Sequence, residues 1–264
     1  DGILDASSNT FGGPINTVAG EFNMFTDSGV SSSFKGVIDE AAIWNRTLSS
    51  GEIAWMSRRH NYGVFQSHSM DTSGVSFYQS IDFDEDYRLY DYSLVGYWNF
   101  DTSGDLGKDL STRGNNLSVF NPDSGVIYKT SGITNGGVYI DQDSNGSLIK
   151  SLSHLDDLYI QNEFTAACWI KTFIPSGTLP MGIMSSTSGS SAALTQFNIQ
   201  TSTNKFQAQI GVGAVLTTLT SDVSIEAGRW YHIAVTYDWT YPVSNPFLKL
   251  YINGKLEKFN SSAG

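Results

Sequence analysis

The segment Asp141-Gln142-Asp143-Ser144-Asn145-Gly146-Ser147-Leu148 puts oxygen-bearing side chains at alternate positions ahead of a glycine. Side chains so spaced can wrap one hard cation, and the glycine permits the sharp turn such a loop needs. The pattern matches the front half of a D-x-D-x-N-G calcium loop, with Asp141, Asp143 and Asn145 as candidate ligands. The position where a bidentate Glu would close the shell holds Leu152, so a hairpin turn at Asn145-Gly146 is the competing expectation. Trp239 and Tyr241 precede Pro242. On an exposed rim such aromatics can stack on the apolar face of a sugar; in a closed loop they cap the core. Four Asn-x-Ser/Thr triplets, at Asn45, Asn116, Asn145 and Asn260, are N-glycosylation acceptors where the source glycosylates. His60, His68, His154 and His232 are scattered without metal-ligand spacing, and the lone Cys168 lies in an apolar strand pattern, as a small core residue does.

Composition narrows the partners. The 264 residues carry 15 Lys+Arg against 26 Asp+Glu, a net charge of −11. That balance argues against nucleic acid, which requires cations to neutralise phosphate, and allows divalent cations. No apolar run approaches the ~18 residues of a membrane helix, and no secretory signal pattern opens the sequence. A single Cys forbids an internal disulfide framework. Low charge with much Ser, Thr and Asn favours an extracellular or cell- or virion-surface setting. No G-x-S-x-G, phosphate-binding Gly loop or G-x-G-x-x-G is present, which predicts a non-enzyme.

The elements that must hold these residues are strands. Phe164, Ala166, Cys168 and Ile170 alternate on one face of residues 164–171. Tyr231, Ile233, Val235 and Tyr237 do so in 230–237, and Leu248, Leu250 and Ile252 in 247–252. Asn253-Gly254 signals a type I′ hairpin, because both turn positions need φ > 0. Residues 196–200 and 206–212 read as a hairpin around Thr203-Asn204. The expected fold is all-β, an antiparallel two-sheet β-sandwich. One helix is expected: Ser49-Ser50-Gly51-Glu52 is a capping box, predicting a helix to about Arg59. Residues 63–93, acidic and Tyr-rich, read as a linker or a docking arm.

Motifs through the chain resemble the laminin-G-like (LamG) domain, a concanavalin A-like lectin/glucanase jelly roll. Leu94-Val95-Gly96-Tyr97-Trp98-Asn99-Phe100-Asp101, followed by Lys108 to Ser111 and Gly114-Asn115-Asn116, is similar to its opening. Phe164 to Lys171, Gly228 to Asp238 and Leu248 to Lys255 are similar to its central strands. Gly36-Val37-Ile38-Asp39-Glu40 through Glu52-Ile53 is similar to its closing motif, except that Ala42 stands where the family commonly carries Arg. The resemblance implies a jelly-roll sandwich with one short helix after the closing motif. It also implies a rim or structural calcium whose ligands here would be Asp101, Asp109, Asn115, Asn116 and Asp39, against the alternative that Asp and Asn bond their own turns. Glycosidases of this superfamily place paired acids as E-x-D-x-x-E; nothing here matches.

The motifs stand in permuted order, with the closing motif first. Residues 1–62 therefore read as the C-terminal part of a sandwich, expected to complete a neighbouring or preceding unit, and residues 94–264 as the N-terminal and central part of another. A sandwich missing its last strands exposes sheet edges. Completion follows from a tandem repeat, from strand donation by a copy of the chain, or from closure on itself. The expected function is a non-enzymatic surface structural protein whose LamG-like units join head to tail into a fibre, sheath, adhesin or virion appendage. The alternative is a calcium-dependent carbohydrate-binding or adhesion module with glycan partners.

Overall fold

A computed structural model describes residues 15, 20–25, 34–58, 92–101, 104–120, 127–140, 147–152, 157–158, 160, 162–173, 180–187, 195–239 and 246–261. Among them are the strands β1 (Glu21–Met24), β2 (Gly36–Trp44), β3 (Leu94–Trp98), β4 (Ser118–Phe120), β5 (Ile127–Ser131), β6 (Gly136–Ile140), β7 (Ser147–Ser151), β8 (Glu163–Thr172), β9 (Met181–Thr187), β10 (Thr195–Ser202), β11 (Lys205–Val212), β12 (Val215–Ser224), β13 (Trp230–Asp238), β14 (Pro246–Ile252) and β15 (Lys255–Ser261), with one helix, α1 (Ser50–Met56). They form two antiparallel sheets. The seven-stranded sheet has the order β12-β11-β10-β9-β1-β7-β4. The eight-stranded sheet has the order β15-β14-β13-β8-β2-β6-β5, with β3 paired to β2. The architecture is the expected β-sandwich, consistent with a concanavalin A-like jelly roll.

The alternating residues fall where the pleat requires. Phe164, Ala166, Cys168 and Ile170 join Tyr231, Ile233, Val235, Tyr237, Leu248, Leu250 and Ile252 in the core between the sheets. Their neighbours Ala167, Trp169, Ala234 and Tyr251 face outward, into a second apolar layer under α1 with Trp44, Leu48, Ile53 and Met56. Hence β8 and β13 are buried on both faces and read as nearly continuous apolar runs. Burial pushes the Cys168 thiol far above its usual range and holds the His232 imidazole down at about 3, against the edge of the Trp169 ring. Both are packed core residues.

Both predicted two-residue turns form. Thr203 and Asn204 have φ of 49° and 62°, and Asn253 and Gly254 have 50° and 76°. A side chain at Gly254 would strike Ser57 Oγ and the Ala54 backbone, so this turn is also the floor on which α1 rests. The capping box is present. Ser49 Oγ accepts from the Glu52 N–H at 3.2 Å, and Glu52 Oε2 accepts from the Ser49 N–H at 2.7 Å. The helix ends at Met56, earlier than expected, because Ser57 already caps it: its N–H donates to Ile53 O and its hydroxyl to Ala54 O.

Residues 1–62, expected to complete a neighbouring or preceding unit, here place their described strands among those of the same chain. β1 lies between β9 and β7 of the same chain, and β2 between β8 and β6. Among the described residues, every strand partner of β1 and β2 comes from residues 94–264, so within one chain the closing motif fits the slots that those strands leave. The junction is tied further by Asn45 N–H donating to Ser93 O at 2.8 Å, by Arg46 Nε donating to Ser93 Oγ at 2.8 Å, and by the Phe22 ring stacked on Trp98 at 5.4 Å. Of the linker 63–93 only Tyr92 and Ser93 are among the described residues.

Candidate functional site

The closing motif places two acids in the middle of the eight-stranded sheet. β2 carries a bulge between Asp39 and Ala42, with Glu40 at φ 49°. There its neighbour changes from β6 to β3. The bulge leaves backbone and carboxylates to be satisfied locally. Asp39 Oδ1 accepts from Glu40 N–H at 2.8 Å, and Oδ2 accepts from Ile133 and Thr134 N–H at 2.8 and 3.1 Å. Glu40 Oε2 accepts the Tyr97 hydroxyl at 2.6 Å. Burial pushes the Asp39 carboxyl up to about 8, opposed by its N–H donors and reinforced by Glu40. Burial and the Glu40 carboxylate hold the Tyr97 hydroxyl well above its ordinary range.

The other residues implied as calcium ligands divide between two turns. Asp101 Oδ1 accepts Gly136 N–H at 2.7 Å, beside the turn that Asp39 also caps, and its Oδ2 accepts the Asn99 amide at 2.9 Å. Asp109 organises the other turn. It accepts N–H groups from Tyr97, Ser111 and Asn115 at 2.9, 2.8 and 2.6 Å, and the Ser111 hydroxyl at 2.7 Å. Asn116 Oδ1 accepts the Asp109 N–H, and Asn115 Nδ2 donates to Val95 O. The oxygens of Asp39, Asp101, Asp109 and Asn116 thus accept donors of the turns around them, as turn chemistry has it, and the Asn115 amide ties its own turn to β3. Among the described residues no group of three or more His, Cys, Asp or Glu side chains is placed to hold a metal. Asp141, Asp143 and Asn145 lie outside the described residues.

Trp239 is half-buried and packs against the main core, and its N–H donates to Asn162 O at 2.9 Å. It caps the core as much as it faces a rim; Tyr241 lies outside the described residues. Of the glycosylation candidates, Asn45 and Asn116 are exposed and Asn260 is half-exposed at the end of β15.

A polar constellation that the site reading missed lies on the outer face of the seven-stranded sheet. In β10 and β11, Phe197, Ile199, Phe206, Ala208 and Ile210 face the core, so the intervening Asn198, Gln200, Gln207 and Gln209 face outward. Cross-strand register sets Asn198 opposite Gln209, Gln200 opposite Gln207, and these two glutamines opposite Thr218 and Thr220 of β12. The buried Asn198 Nδ2 donates to Gln200 Oε1 at 2.9 Å and Gln209 Oε1 at 3.0 Å. Gln200 Nε2 donates to Gln207 Oε1 at 2.8 Å. Both outer glutamines thus have their carbonyls fixed inward and their NH₂ groups turned to the Thr220 and Thr218 hydroxyls at 3.2 and 3.3 Å. The result is two parallel rows of amide and hydroxyl, ~7 Å apart along the strands, partly open to solvent. The signal was the polar–apolar alternation of residues 196–200 and 206–212. It marks the outward face without saying that the amides form one directional network.

No helix among the described residues is long and apolar enough to cross a membrane. Comparison with curated proteins and with solved structures gives no match. Residues 141–264, from the segment leading into β7 through β15, match the Laminin_G_3 family, described as the concanavalin A-like lectin/glucanases superfamily, and the two-sheet sandwich is consistent with that likeness.

Proposed function

We propose that the chain is a non-enzymatic carbohydrate-binding or adhesion module, working outside the cell or on a virion surface. The observation that carries this reading is the pair of amide–hydroxyl rows on β10–β12. A saccharide offers neighbouring hydroxyls that both donate and accept. A protein face that meets them needs fixed amides and hydroxyls, oriented before the ligand arrives. Asn198 and Gln200 supply that orientation from beneath, and Gln207, Gln209, Thr218 and Thr220 present the result. The sandwich hosts glycan binders and glucanases alike, so fold alone does not decide. Against hydrolysis stands the burial of the adjacent acids, Asp39 and Glu40, at 0% and 1% exposure. Their oxygens are engaged by backbone N–H groups and Tyr97, where no substrate can reach them.

A glycan array, run once with calcium and once with chelator, tests the reading. Binding that falls about thirtyfold in Gln207→Ala/Gln209→Ala, as expected for the loss of two hydrogen bonds of ~1 kcal/mol each, supports it. No binder in either arm rejects it. Calcium dependence would point to the Asp141–Asn145 loop.

Head-to-tail assembly is a second reading, favoured by one observation. The slots of β1 and β2 are built only from residues 94–264, so the same unit from another copy fits them in the same register. Native mass rising with concentration supports it; a constant monomer mass removes it.

A further inference from the structure

The outer face of the eight-stranded sheet carries an aromatic strip that adjoins the layer under α1, against which its Trp230 partly packs. Register sets Trp230 beside Lys171, Lys171 beside Val37, and Val37 beside Tyr139. Their neighbours Ile170, Ile38 and Ile140 face the core, so this row faces outward. Phe173, two residues beyond Lys171, shares the face. It is 42% exposed, and its ring lies 5.7 Å from that of Tyr139. Lys171 Nζ sits 5.5 Å from the Phe173 ring and 4.9 Å from the Trp230 ring. Among the described residues, Lys171 makes no ion pair, although the chain carries 26 acidic side chains. Two more cations adjoin the strip along the backbone. Lys35 lies across from Phe173, whose N–H donates to Lys35 O at 3.2 Å, and the exposed Arg229 precedes Trp230. Among the described residues, Arg229 pairs with the exposed Glu226 at 3.2 Å.

We propose that this strip binds an anionic saccharide, a uronate or sulfated sugar whose ring stacks on Phe173 and Trp230 while its anionic group meets the Lys171 ammonium. A pyranose has an apolar face that aromatic rings accept. An ammonium held over two rings and lacking a carboxylate partner among the described residues is a ready donor for a charged ligand group. The net charge of −11 does not cancel this attraction. Distant charges are screened beyond ~8 Å at physiological salt, so the local lysines dominate at contact. This site rests on the reading of the chain as a glycan-binding module but not on the amide rows, which lie on the other sheet.

Calorimetric titration of the 264-residue chain tests it, with oligogalacturonate, a heparin-derived sulfated oligosaccharide and a cello-oligosaccharide as probes. At least one anionic probe binds, more weakly as salt rises, and the neutral probe does not compete. Which anionic probe binds identifies the group that meets Lys171. Lys171→Gln and Phe173→Ala each weaken that binding about tenfold with an unchanged melting temperature, while Gln207→Ala/Gln209→Ala leaves it intact. Equal binding of the cello-oligosaccharide, full affinity in Lys171→Gln, or no binding of either anionic probe overturns the proposal. Loss confined to the glutamine variant supports the amide rows instead.

Discussion

Residues 20–58 and residues 195–261 contribute strands to the same two sheets in opposite ways. The later region folds on itself. β10 pairs β11, β11 pairs β12, β13 pairs β14 and β14 pairs β15, with both two-residue turns supplied by residues at positive φ. Among its described residues the earlier region makes no strand pair of its own. β1 enters one sheet and β2 the other, each flanked on both sides by strands from after residue 94. Local hairpins close short loops at small entropic cost. Inserted strands gain their hydrogen bonds only once the rest of the sandwich is nearly in place. The N-terminal unit is therefore a keystone. Without it, each sheet loses an internal strand rather than an edge.

The contrast can be broken by substitution. Phe22 in β1 is fully buried and stacks on Trp98, so Phe22→Ala should destabilise by about 3–5 kcal/mol. Leu256 in β15 is 48% exposed, so Leu256→Ala should cost under about 0.5 kcal/mol. Denaturant unfolding of both variants measures the difference, and equal effects would deny β1 its keystone role.

A pH scan sharpens it at the bulge. Asp39 holds its proton to about 8 when folded and to 3.8 ordinarily. The folded state thus carries the extra proton between those values, and stability declines as pH rises through that window. His232, at about 3 folded against 6.5, has the opposite effect, losing stability as pH falls from 6.5 towards 3. Between pH 6.5 and 8 Asp39 acts without it, and stability should decline by about 2 kcal/mol. Asp39→Asn, less stable overall because its NH₂ faces backbone donors, should flatten that slope; an unchanged slope would assign it elsewhere.

The smallest of these effects belongs to α1, the element legible from a motif of four residues. Ser49→Ala removes the cap and should cost about 1 kcal/mol, read from the shift in urea midpoint. Arg46 and the Ser49 N–H hold the Glu52 carboxylate below its usual range despite its partial burial. The loss should therefore shrink in acid, as Glu52 protonates and the box opens.

Legibility followed sequence distance. The alternation in β8 and β13, the Asn253-Gly254 turn and the Ser49–Glu52 box each depend on neighbours within a few residues, so they could be read directly. The roles of Asp39 and Asp109 could not. Asp39 caps backbone groups 94 and 95 residues away, and spacing alone cannot distinguish such a cap from a cation ligand. The same holds for residues 1–62. Their motif marks them as the end of a sandwich, but which sandwich depends on pairings with strands after residue 94. The amide rows were half legible: alternation turns Asn198 and Gln209 outward, and only cross-strand register joins them.

The most direct test of self-completion is a disulfide across β1 and β7. Glu21 and Ser151 are exposed register partners, and antiparallel partners have Cα atoms ~4.5–5.5 Å apart, within disulfide reach. In Glu21→Cys/Ser151→Cys, oxidation should yield a cross-linked species that runs as one chain of 28.8 kDa on a non-reducing denaturing gel. Disulfide-linked dimers or a ladder of multiples would show that β1 completes a different copy, contradicting self-completion.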